Sequence, residues 1–374
     1  MASQKKGGGA HCSLLLGDSS VLKLVRVVAI HGPGDIRIDN VETPNPGSNE
    51  VIVRVKACGI CGSDLPRAFG DGAHFYPVVV GHEAAGEVAV IGSQVQHLHV
   101  GDRVVVAPLV PCMSCQFCQQ GVYSLCRSYS FIGSRQQGCM AEYVRVPSRC
   151  LVKMPPELSY EEAAMVEPAT VSLHVLLRVG VAGSRVVVLG TGTIGLLAVQ
   201  WVRFLGASQV IAVDIDDFKL EIATKIGADV AINSAREPDQ GLAQLREATD
   251  GHLADIVVET AGNPATQVQA VEVAASNGHV LYVGTADKDV HFPAPTFEMI
   301  LRKELNILGS WMSYSPPFPG KEWSMAISAL AQGRIRVEDL ITHRFELDHA
   351  NLALETMRDG INTVKVMLLC AKES

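Results

Sequence analysis

The sequence predicts an α/β protein with two domains: an irregular β-barrel-like domain followed by a doubly wound parallel sheet. Three observations predict this fold class. The chain has 374 residues, which exceeds one ordinary hydrophobic core. Between Leu24 and Cys150, short Val- and Ile-rich segments alternate with Gly/Pro turns, which is typical of antiparallel β-structure. After Pro155, strand-like and helix-like segments alternate regularly, as in parallel α/β sheets.

The first domain is expected to span residues 24–173. Its predicted strands are broken by Gly32-Pro33-Gly34 and by the Pro- and Gly-rich residues 44–47. They cover residues 24–30, 35–38, 51–55, 78–80, 86–91 and 103–107. A cysteine-containing lobe at 111–127 interrupts the domain. Residues 1–23 are Gly-rich and are expected to be a disordered leader.

The second domain is expected to span residues 174–309, after a helix predicted at 161–177. Strands at 186–189, 210–213 and 255–258 alternate with helices at 196–204 and 218–226. This order predicts parallel strands joined by crossover helices. Residues 310–374 show no further nucleotide-binding pattern and are expected to return to the first domain.

The lobe at 111–127 has the cysteine spacing of a metal site. Thiolates separated by two residues can bind one ion from a tight loop. Four thiolates can fill a tetrahedral Zn²⁺ shell, which leaves no position for a substrate. Disulfides and an iron–sulfur cluster are the alternatives. The sequence favours a structural zinc, with the ligands Cys112, Cys115, Cys118 and Cys126.

A glycine-rich turn lies between a predicted strand and a predicted helix in the second domain. Such a turn lets backbone approach a pyrophosphate, and the helix N-terminus attracts the phosphates. The next strand ends in Asp214, where an acid would bind ribose hydroxyls and disfavour a 2′-phosphate. The pattern predicts NAD binding rather than a glycine turn beside a surface aspartate. The expected cofactor residues are Gly190, Gly192, Thr193, Ile194, Gly195, Asp214 and Lys219.

Composition excludes several classes of partner. A formal charge of −8 gives no electrostatic reason to bind nucleic acid. The longest apolar stretch, at 186–202, contains glycines and Gln200 and suits a buried strand–turn–helix better than a membrane span. Leu14, Leu15 and Leu16 are too few for a signal sequence, so we expect a cytoplasmic protein that does not bind membranes.

A second group of possible metal ligands lies outside the lobe. Cys58 and Cys61 are followed by His82-Glu83, and Glu167 stands in an apolar segment. Taken singly, a buried cysteine or a His beside a Glu is more often structural than catalytic. A catalytic zinc needs about three protein ligands and one open position, and Cys, His and a carboxylate make an adequate set.

Together these motifs resemble the zinc-containing medium-chain dehydrogenases over residues 24–370. The order is Cys-Gly-Ile-Cys-Gly-Ser-Asp from Cys58, Gly-His-Glu at His82, the four-cysteine lobe, Glu167-Pro168 and the glycine turn. The pair Glu167-Pro168 resembles the polyol dehydrogenases, which form one branch of this family. The segments 62–67, 72–77, 131–135 and 309–316 resemble its galactitol-phosphate members. The resemblance implies a GroES-like catalytic domain and a Rossmann cofactor domain.

By this resemblance, Cys61, His82 and Glu167 hold a catalytic zinc, and Glu83 ligates or orients beside them. Two zinc ions per chain are therefore expected. Ser63 is a candidate to relay the hydroxyl proton. The implied reaction is reversible, NAD-linked oxidation of a secondary alcohol of a polyol or polyol phosphate, first of all galactitol 1-phosphate to a ketose phosphate such as tagatose 6-phosphate.

The sequence determines the substrate-binding residues less well than the metal and cofactor residues. Sorbitol dehydrogenases usually carry an aromatic-Arg-Tyr triplet where this chain has Trp311-Met312-Ser313, which argues against sorbitol. A phosphate would need cations or other donors. The candidates are Arg67, His74, Arg135, Trp311 and Lys321. A threonine or small-alcohol dehydrogenase and a non-catalytic NAD(H)-binding relative remain alternatives, and a homodimer or homotetramer is expected, with edges near 280–284 and 307–309.

Overall fold

The first domain of the computed structural model is mostly β, as predicted. The structure describes residues 24–235, 241–286 and 288–371, so the leader predicted at 1–23 lies outside the described residues. Two short helices, α1 (Leu65–Phe69) and α2 (Gln116–Gln119), join the strands. The strands are β1 (Leu24–Gly32), β2 (Asp35–Glu42), β3 (Glu50–Ile60), β4 (Val78–Val79), β5 (Glu83–Ile91), β6 (Arg103–Val106), β7 (Leu109–Val110), β8 (Ser130–Phe131), β9 (Tyr143–Pro147) and β10 (Leu151–Lys153).

The rest of the chain alternates helices and strands, also as predicted. Its elements are α3 (Tyr160–Ala164), α4 (Val166–Leu176), β11 (Arg185–Leu189), α5 (Thr193–Phe204), β12 (Gln209–Asp214), α6 (Asp217–Ile226), β13 (Val230–Asn233), α7 (Gly241–Ala248), β14 (Ala254–Glu259), α8 (Pro264–Val273), β15 (Ala274–Tyr282), α9 (Ala294–Arg302), β16 (Asn306–Gly309), α10 (Lys321–Ala331), β17 (Ile341–Glu346), α11 (Ala350–Asp359) and β18 (Lys365–Leu369).

Six parallel strands form the second sheet, in the order β13-β12-β11-β14-β15-β16. The chain starts at β11 in the middle, runs outward through β12 and β13, and returns to the other side of β11 with β14. This reversal creates a crevice at the carboxyl ends of β11 and β14, where ligands of doubly wound sheets bind. The doubly wound prediction is thereby confirmed.

The main sheet of the first domain has the order β10-β6-β5-β3-β18-β17, with β9 also paired to β3. The last strand, β18, runs antiparallel to β3, and Val366 lies opposite Ile60. The C-terminal segment therefore completes the sheet that carries Cys61. A second, smaller sheet has the order β2-β1-β4.

The helix predicted at 161–177 is two helices. Helix α3 ends at Ala164, and α4 begins at Val166 after Met165. The physical reason is Pro168, which has no N–H to donate to the carbonyl of Ala164 but fits the first turn of a new helix. The break places Glu167 in the first turn of α4, which packs on β5, β6, α5 and α10.

Two buried tryptophans fix α4 and α10 in the interior. The Trp201 indole N–H donates to the Ala169 carbonyl at 2.8 Å, and the Trp323 indole N–H donates to the Ser313 carbonyl at 2.9 Å. Both side chains are fully buried. Each indole N–H also donates a hydrogen bond. Directional hydrogen bonds as well as apolar contacts therefore hold α4 in place. In the part of the chain that the structure describes, no helix is long and apolar enough to cross a membrane.

Substituting one glycine should test the contact between β3 and β5. A Cβ at Gly86 would lie 2.1 Å from the Arg54 carbonyl oxygen, whereas a Cβ at Gly32 would meet nothing within 4 Å. We expect Gly86→Ala to lower the free energy of unfolding by about 1–3 kcal/mol, because backbone must move. Gly32→Ala should change it by less than about 0.5 kcal/mol. Urea unfolding measures both, and equal effects would contradict the packing described.

Candidate active site

Cys61 and His82 meet because β3 and β5 are antiparallel neighbours. Gly59 lies opposite Glu83 in the strand register, so the residue that follows β3 and the residue that precedes β5 lie at the same end of the pair. Cys61, His82 and Glu83 each offer a ligand atom within 4.8 Å of the other two. A thiol, an imidazole and a carboxylate are the donors that zinc uses in catalytic sites.

Asp64 lies beside His82 and was not among the site residues predicted from the sequence. Its Oδ1 lies 3.5 Å from His82 Nδ1, and neither buried atom has a hydrogen-bond partner. Its Oδ2 accepts the Cys61 N–H at 3.0 Å. With Nδ1 turned toward Asp64, Nε2 is the ring nitrogen left for a ligand. The signal in the sequence was the spacing Cys-x-x-Asp, which lets the aspartate fold back on the Cys61 amide.

The electrostatics of this cluster favour a positive charge beside His82. Burial opposes ionisation of the imidazole, but Asp64 and Cys61 nevertheless raise the pKa of His82 well above its ordinary value. Burial likewise opposes ionisation of Asp64, yet His82 and Arg67 lower the pKa of that carboxyl. A divalent cation supplies the same positive charge that the surrounding acids favour, so the residues present fit a zinc ion.

Glu167 lies near this cluster in the first turn of α4. Burial raises the pKa of Glu167 to about 7, Glu83 and Asp64 reinforce this, and His82 and Lys365 oppose it. Among the described residues, the group of ligand atoms within 4.8 Å contains Glu83 and does not contain Glu167. The ligand set Cys61, His82 and Glu167 therefore stays a prediction.

Glu83 has a buried cationic partner that the sequence analysis also missed. Lys365 Nζ donates to both carboxylate oxygens of Glu83, at 2.7 Å to Oε1, and to the Ile60 carbonyl at 2.9 Å. Both side chains are 2 % exposed. The available signal was a lysine inside the apolar segment Val364–Leu369, since a charge in such a segment needs a partner.

Ser63 and Arg67 lie at the exposed side of Cys61. The Ser63 hydroxyl donates to Cys61 Sγ at 3.4 Å. Arg67 Nη1 donates to the Ser63 carbonyl and to Ser63 Oγ, and Arg67 Nη2 donates to Ser134 Oγ at 3.2 Å. The guanidinium is only partly exposed and its buried Nε has no hydrogen-bond partner. The Arg67 guanidinium therefore contacts Ser63, and Ser63 in turn contacts Cys61.

The other substrate candidates have different surroundings. Arg135 is exposed and its guanidinium lies 4.6 Å from the Tyr129 ring centre. His74 and Lys321 are exposed, and Lys321 is the first residue of α10. Trp311 is 54 % exposed and lines a different cavity, of about 670 Å³, which Cys61 does not line.

The four thiols of the lobe converge. Their sulfur atoms lie within 4.8 Å of one another, with 3.6 Å between Cys115 and Cys118 and 3.9 Å between Cys112 and Cys118. Zn–S bonds of about 2.3 Å in a tetrahedron put sulfur atoms about 3.8 Å apart, whereas a disulfide needs about 2.05 Å. N–H donors at Ser114 and Cys115 lower the pKa of Cys112 to about 6, while burial raises that of Cys118 to about 12. The geometry fits a metal and excludes disulfides.

The glycine turn after β11 has the geometry of a dinucleotide site. Gly190 has a φ of +88°, and a Cβ there would lie 2.8 Å from Ala261. A Cβ at Gly195 would lie 1.8 Å from the Gly190 carbonyl, whereas one at Gly192 would meet nothing within 4 Å. The first and third glycines are thus required by backbone contacts, and the second leaves room for a ligand.

Asp214 is held at the end of β12 by four donors. Its Oδ2 accepts the Thr191 N–H and hydroxyl, and its Oδ1 accepts the N–H groups of Ile215 and Asp216. Lys219 lies 3.5 Å from Asp216. The carboxylate therefore has a fixed position beside the glycine turn, as a ribose-binding acid requires.

One cavity joins the metal-type cluster to the glycine turn. It has a volume of about 260 Å³. A hydride can pass only between groups held in contact, and this cavity is where a substrate carbon and a nicotinamide could be held together. Its lining includes Cys61, Glu83, Gly192, Thr193, Ile194, Gly195, Lys219 and Lys365.

Comparison with known proteins places this arrangement in a family. Residues 47–156 match the alcohol dehydrogenase GroES-like domain, and residues 193–332 match the zinc-binding dehydrogenase domain. Galactitol 1-phosphate 5-dehydrogenase of Escherichia coli strain K12 is 42 % identical over 323 residues, which are 86 % of this chain and 92 % of that protein. Human sorbitol dehydrogenase is 34 % identical over 349 residues, 92 % of this chain and 95 % of that protein.

A solved structure agrees with the sequence matches. The crystal structure of galactitol-1-phosphate dehydrogenase from Escherichia coli has a TM-score of 0.88 and 39 % identity, and the match covers 92 % of this chain and 99 % of that one. The resemblance inferred from the motifs is therefore confirmed, as is the two-domain fold class. The chain belongs to the zinc-containing medium-chain alcohol and polyol dehydrogenases, a family of oxidoreductases.

Proposed function

We propose that the protein oxidises a secondary alcohol of a polyol or polyol phosphate to a ketose, reversibly and with NAD⁺ as the hydride acceptor. The observation that carries the proposal is the cavity shared by Cys61, Glu83 and the glycine turn at Gly192. A metal-type cluster that opens onto a nucleotide-binding turn allows proton removal and hydride transfer at adjacent positions. We also propose that the protein is a homodimer or homotetramer in the cytoplasm. The outer strand β16 is the candidate subunit interface.

The residues have separate tasks in this reaction. A zinc ion held by Cys61, His82 and Glu167 would lower the pKa of a substrate hydroxyl toward neutrality. Asp64 keeps the His82 ring in one orientation. Ser63 is exposed and hydrogen-bonded to Cys61, so its hydroxyl can pass the released proton to solvent while the hydride goes to the nicotinamide. The four-cysteine lobe would hold a second zinc that supports the local chain fold.

NAD⁺ rather than NADP⁺ is proposed because of Asp214. Its carboxylate is fixed by the Thr191 amide and hydroxyl, so it cannot turn away from a ligand without losing those bonds. A 2′-phosphate at this position would place like charges a few ångströms apart, which costs about 4 kcal/mol at 4 Å for an effective dielectric constant near 20. Lys219, the nearby cation, is paired with Asp216.

Galactitol 1-phosphate is the first substrate to test, and Arg67 is the phosphate anchor that we favour. Three features separate it from the other cations: it contacts Ser63 beside Cys61, its Nε has no hydrogen-bond partner, and it is partly buried. Partial burial strengthens a guanidinium–phosphate pair because less water competes for the charge. Arg135 instead stacks on Tyr129.

Replacing Cys61 with Ser should remove one zinc and the activity together. We expect the zinc content to fall from two to one per chain, because the lobe keeps its four thiolates, and kcat to fall more than about 100-fold. Cys150→Ser is the matched control, since its buried thiol donates to the Leu109 carbonyl and a hydroxyl can do the same. Elemental analysis with turnover assays gives the answer, and loss of both metals would contradict two independent sites.

Replacing Asp214 with Asn should weaken the choice between the two dinucleotides. The wild-type ratio of kcat/KM for NAD⁺ to that for NADP⁺ should exceed about 100, and removal of one negative charge should lower it about tenfold or more. Glu221→Gln, on the exposed face of α6, removes an equal charge and should leave the ratio unchanged. Absorbance of the reduced nicotinamide measures both, and an equal change in the two variants would refute the role of Asp214.

Replacing Arg67 with Met should separate phosphorylated from free polyols. We expect kcat/KM for galactitol 1-phosphate to fall about tenfold to 100-fold more than that for galactitol, because a charged hydrogen bond is worth about 1.5–3 kcal/mol. Arg135→Met should preserve the wild-type ratio. A substrate panel that includes galactitol, sorbitol and threonine is the assay. An equal loss on both galactitol compounds would mean that Arg67 only positions Ser63 and Asp64.

A further inference from the structure

Glu259 is a fully buried acid at the end of β14, and its two carboxyl oxygens have different surroundings. Its Oε1 accepts the Gly262 N–H at 2.9 Å and the Thr266 hydroxyl at 2.8 Å. In the part of the chain that the structure describes, its Oε2 has no hydrogen-bond partner. Burial raises the pKa of this carboxyl, although the Thr266 hydroxyl and the Gly262 N–H oppose the shift. Glu259 therefore serves as a buried hydrogen-bond acceptor whose charge is disfavoured.

Glu259 joins two turns at the carboxyl edge of the parallel sheet. One is the turn after β14, residues 260–263, and the other is the turn after β15, residues 283–285. The Glu259 side chain binds the first turn through the Gly262 N–H. Its main-chain carbonyl accepts the N–H groups of Val283 and Gly284 in the second turn, at 2.9 and 3.0 Å. Both turns are thus hydrogen-bonded to one residue.

The two turns also touch through backbone atoms. Gly262 has a φ of +67°, and a Cβ there would lie 2.5 Å from the Thr285 carbonyl oxygen. A Cβ at Gly284 would lie 2.2 Å from the Gly262 nitrogen. Because no side chain lies between them to absorb a displacement, a shift of one turn must move the other.

The turn after β14 packs against the glycine turn as well. The Thr260 hydroxyl donates to the Gly190 carbonyl at 2.8 Å. A Cβ at Gly190 would lie 2.8 Å from Ala261. Thr260 also lines the cavity that Cys61 and Gly192 share. The turn after β14 is therefore part of the wall of this cavity.

The position of the two turns indicates which half of a dinucleotide they meet. A doubly wound sheet binds the two halves on opposite sides of the point where the strand order reverses. Asp214, at the end of β12, marks the adenosine side of the proposed site. Strands β14 and β15 lie on the other side of β11. The nicotinamide half therefore belongs over the turns after β14 and β15.

We propose that Glu259 is a positioning residue for the nicotinamide half of the dinucleotide, because its carboxyl fixes the turn after β14 against the glycine turn and the turn after β15. This rests on the proposed function, since it assumes that the cofactor is NAD. Glu259 acts through the backbone of residues 260–263 and not by contact with the ligand. Without the acceptor, the buried Gly262 N–H loses its partner, and the turn must move to satisfy it.

The test compares Glu259→Leu with Glu259→Gln by calorimetric binding of NADH and of ADP, which lacks the nicotinamide riboside. Leucine fills much of the same space without an acceptor, whereas glutamine keeps an acceptor without the charge. We expect Glu259→Leu to raise the Kd for NADH about tenfold and to change the Kd for ADP less than about twofold. Glu259→Gln should keep both Kd values within about threefold of wild type.

Three results would overturn the proposal. The first is wild-type NADH affinity in Glu259→Leu. The second is an equal loss of NADH and ADP affinity in that variant, which would mean that the whole cofactor domain is loosened. The third is a glutamine variant that binds NADH as weakly as the leucine variant, which would refute the acceptor role.

A second variant decides if Glu259→Leu does not fold. Thr266→Val keeps the side-chain shape and removes one donor to Oε1. It should raise the Kd for NADH about threefold and leave the Kd for ADP unchanged, and wild-type binding of both probes would refute the proposal. Glu272→Leu is the matched control, because Glu272 also accepts a threonine hydroxyl, from Thr296 at 3.0 Å, but lies at the opposite end of α8. It should leave both Kd values unchanged.

Failure of the proposed cofactor gives a different result. If the wild-type protein binds neither NADH nor ADP, the proposed function fails before Glu259 is tested. If it binds both and Glu259→Leu does not separate them, the dinucleotide site stands and only the role of Glu259 is refuted. Binding of NADH and ADP needs no polyol, so it reports on the cofactor site independently of the substrate.

Discussion

The balance of buried charge around His82 is the constraint on which the rest of the structure depends. Asp64, Glu83 and Glu167 are buried acids, and Cys61 as a thiolate would add a fourth negative charge. In the described contacts, Lys365 pairs with Glu83, and Arg67 lies 3.7 Å from Asp64. The Cys61 thiolate and Glu167 are the remaining acidic groups beside His82, and a divalent ion bound there would supply the positive charge that they favour.

The fold meets this constraint by bringing distant strands together. Strand β18 supplies Lys365 to a sheet whose other members, β3 and β5, supply Cys61 and Glu83. Helix α4 supplies Glu167 only because it restarts after Met165, and its axis is fixed by the Trp201 indole bonded to Ala169. The hydrogen bond from Thr193 to Val364 joins the cofactor helix to β18. The glycine turn and the charged cluster thus line one cavity, and the same C-terminal segment contacts both.

The sequence predicted those parts of the site whose residues lie close together along the chain. The lobe from Cys112 to Cys126 and the turn at Gly190 each lie within one loop, so their geometry follows from residue intervals. Cys61 and His82 were ambiguous alone, became ligand candidates in combination with a carboxylate, and were assigned to a catalytic zinc only through family resemblance.

Asp64 and Lys365 were missed for different reasons. Asp64 lies three residues from Cys61, but an aspartate at a turn is common and its contact with His82 appears only in three dimensions. Lys365 is 282 residues from Glu83, and no periodicity connects the two. The break at Met165 was missed because the apolar spacing continues through it, while Pro168 alone determines where the second helix can begin.

The four-cysteine lobe and the cluster around His82 bind through different side chains but share a packing contact, since one aromatic ring connects them. Strands β7 and β8 close the base of the lobe, with Leu109 opposite Phe131. The Phe131 ring packs edge-on against the His82 imidazole, with 5.4 Å between ring centres. The Leu109 N–H also donates to the buried Tyr314 hydroxyl at 2.9 Å. A metal bound by the four thiols would therefore also hold the strand pair that packs against His82. Because aromatic contacts of this kind are directional, loosening of the lobe would change the orientation of His82 even if Cys61, Asp64 and Glu83 kept their positions.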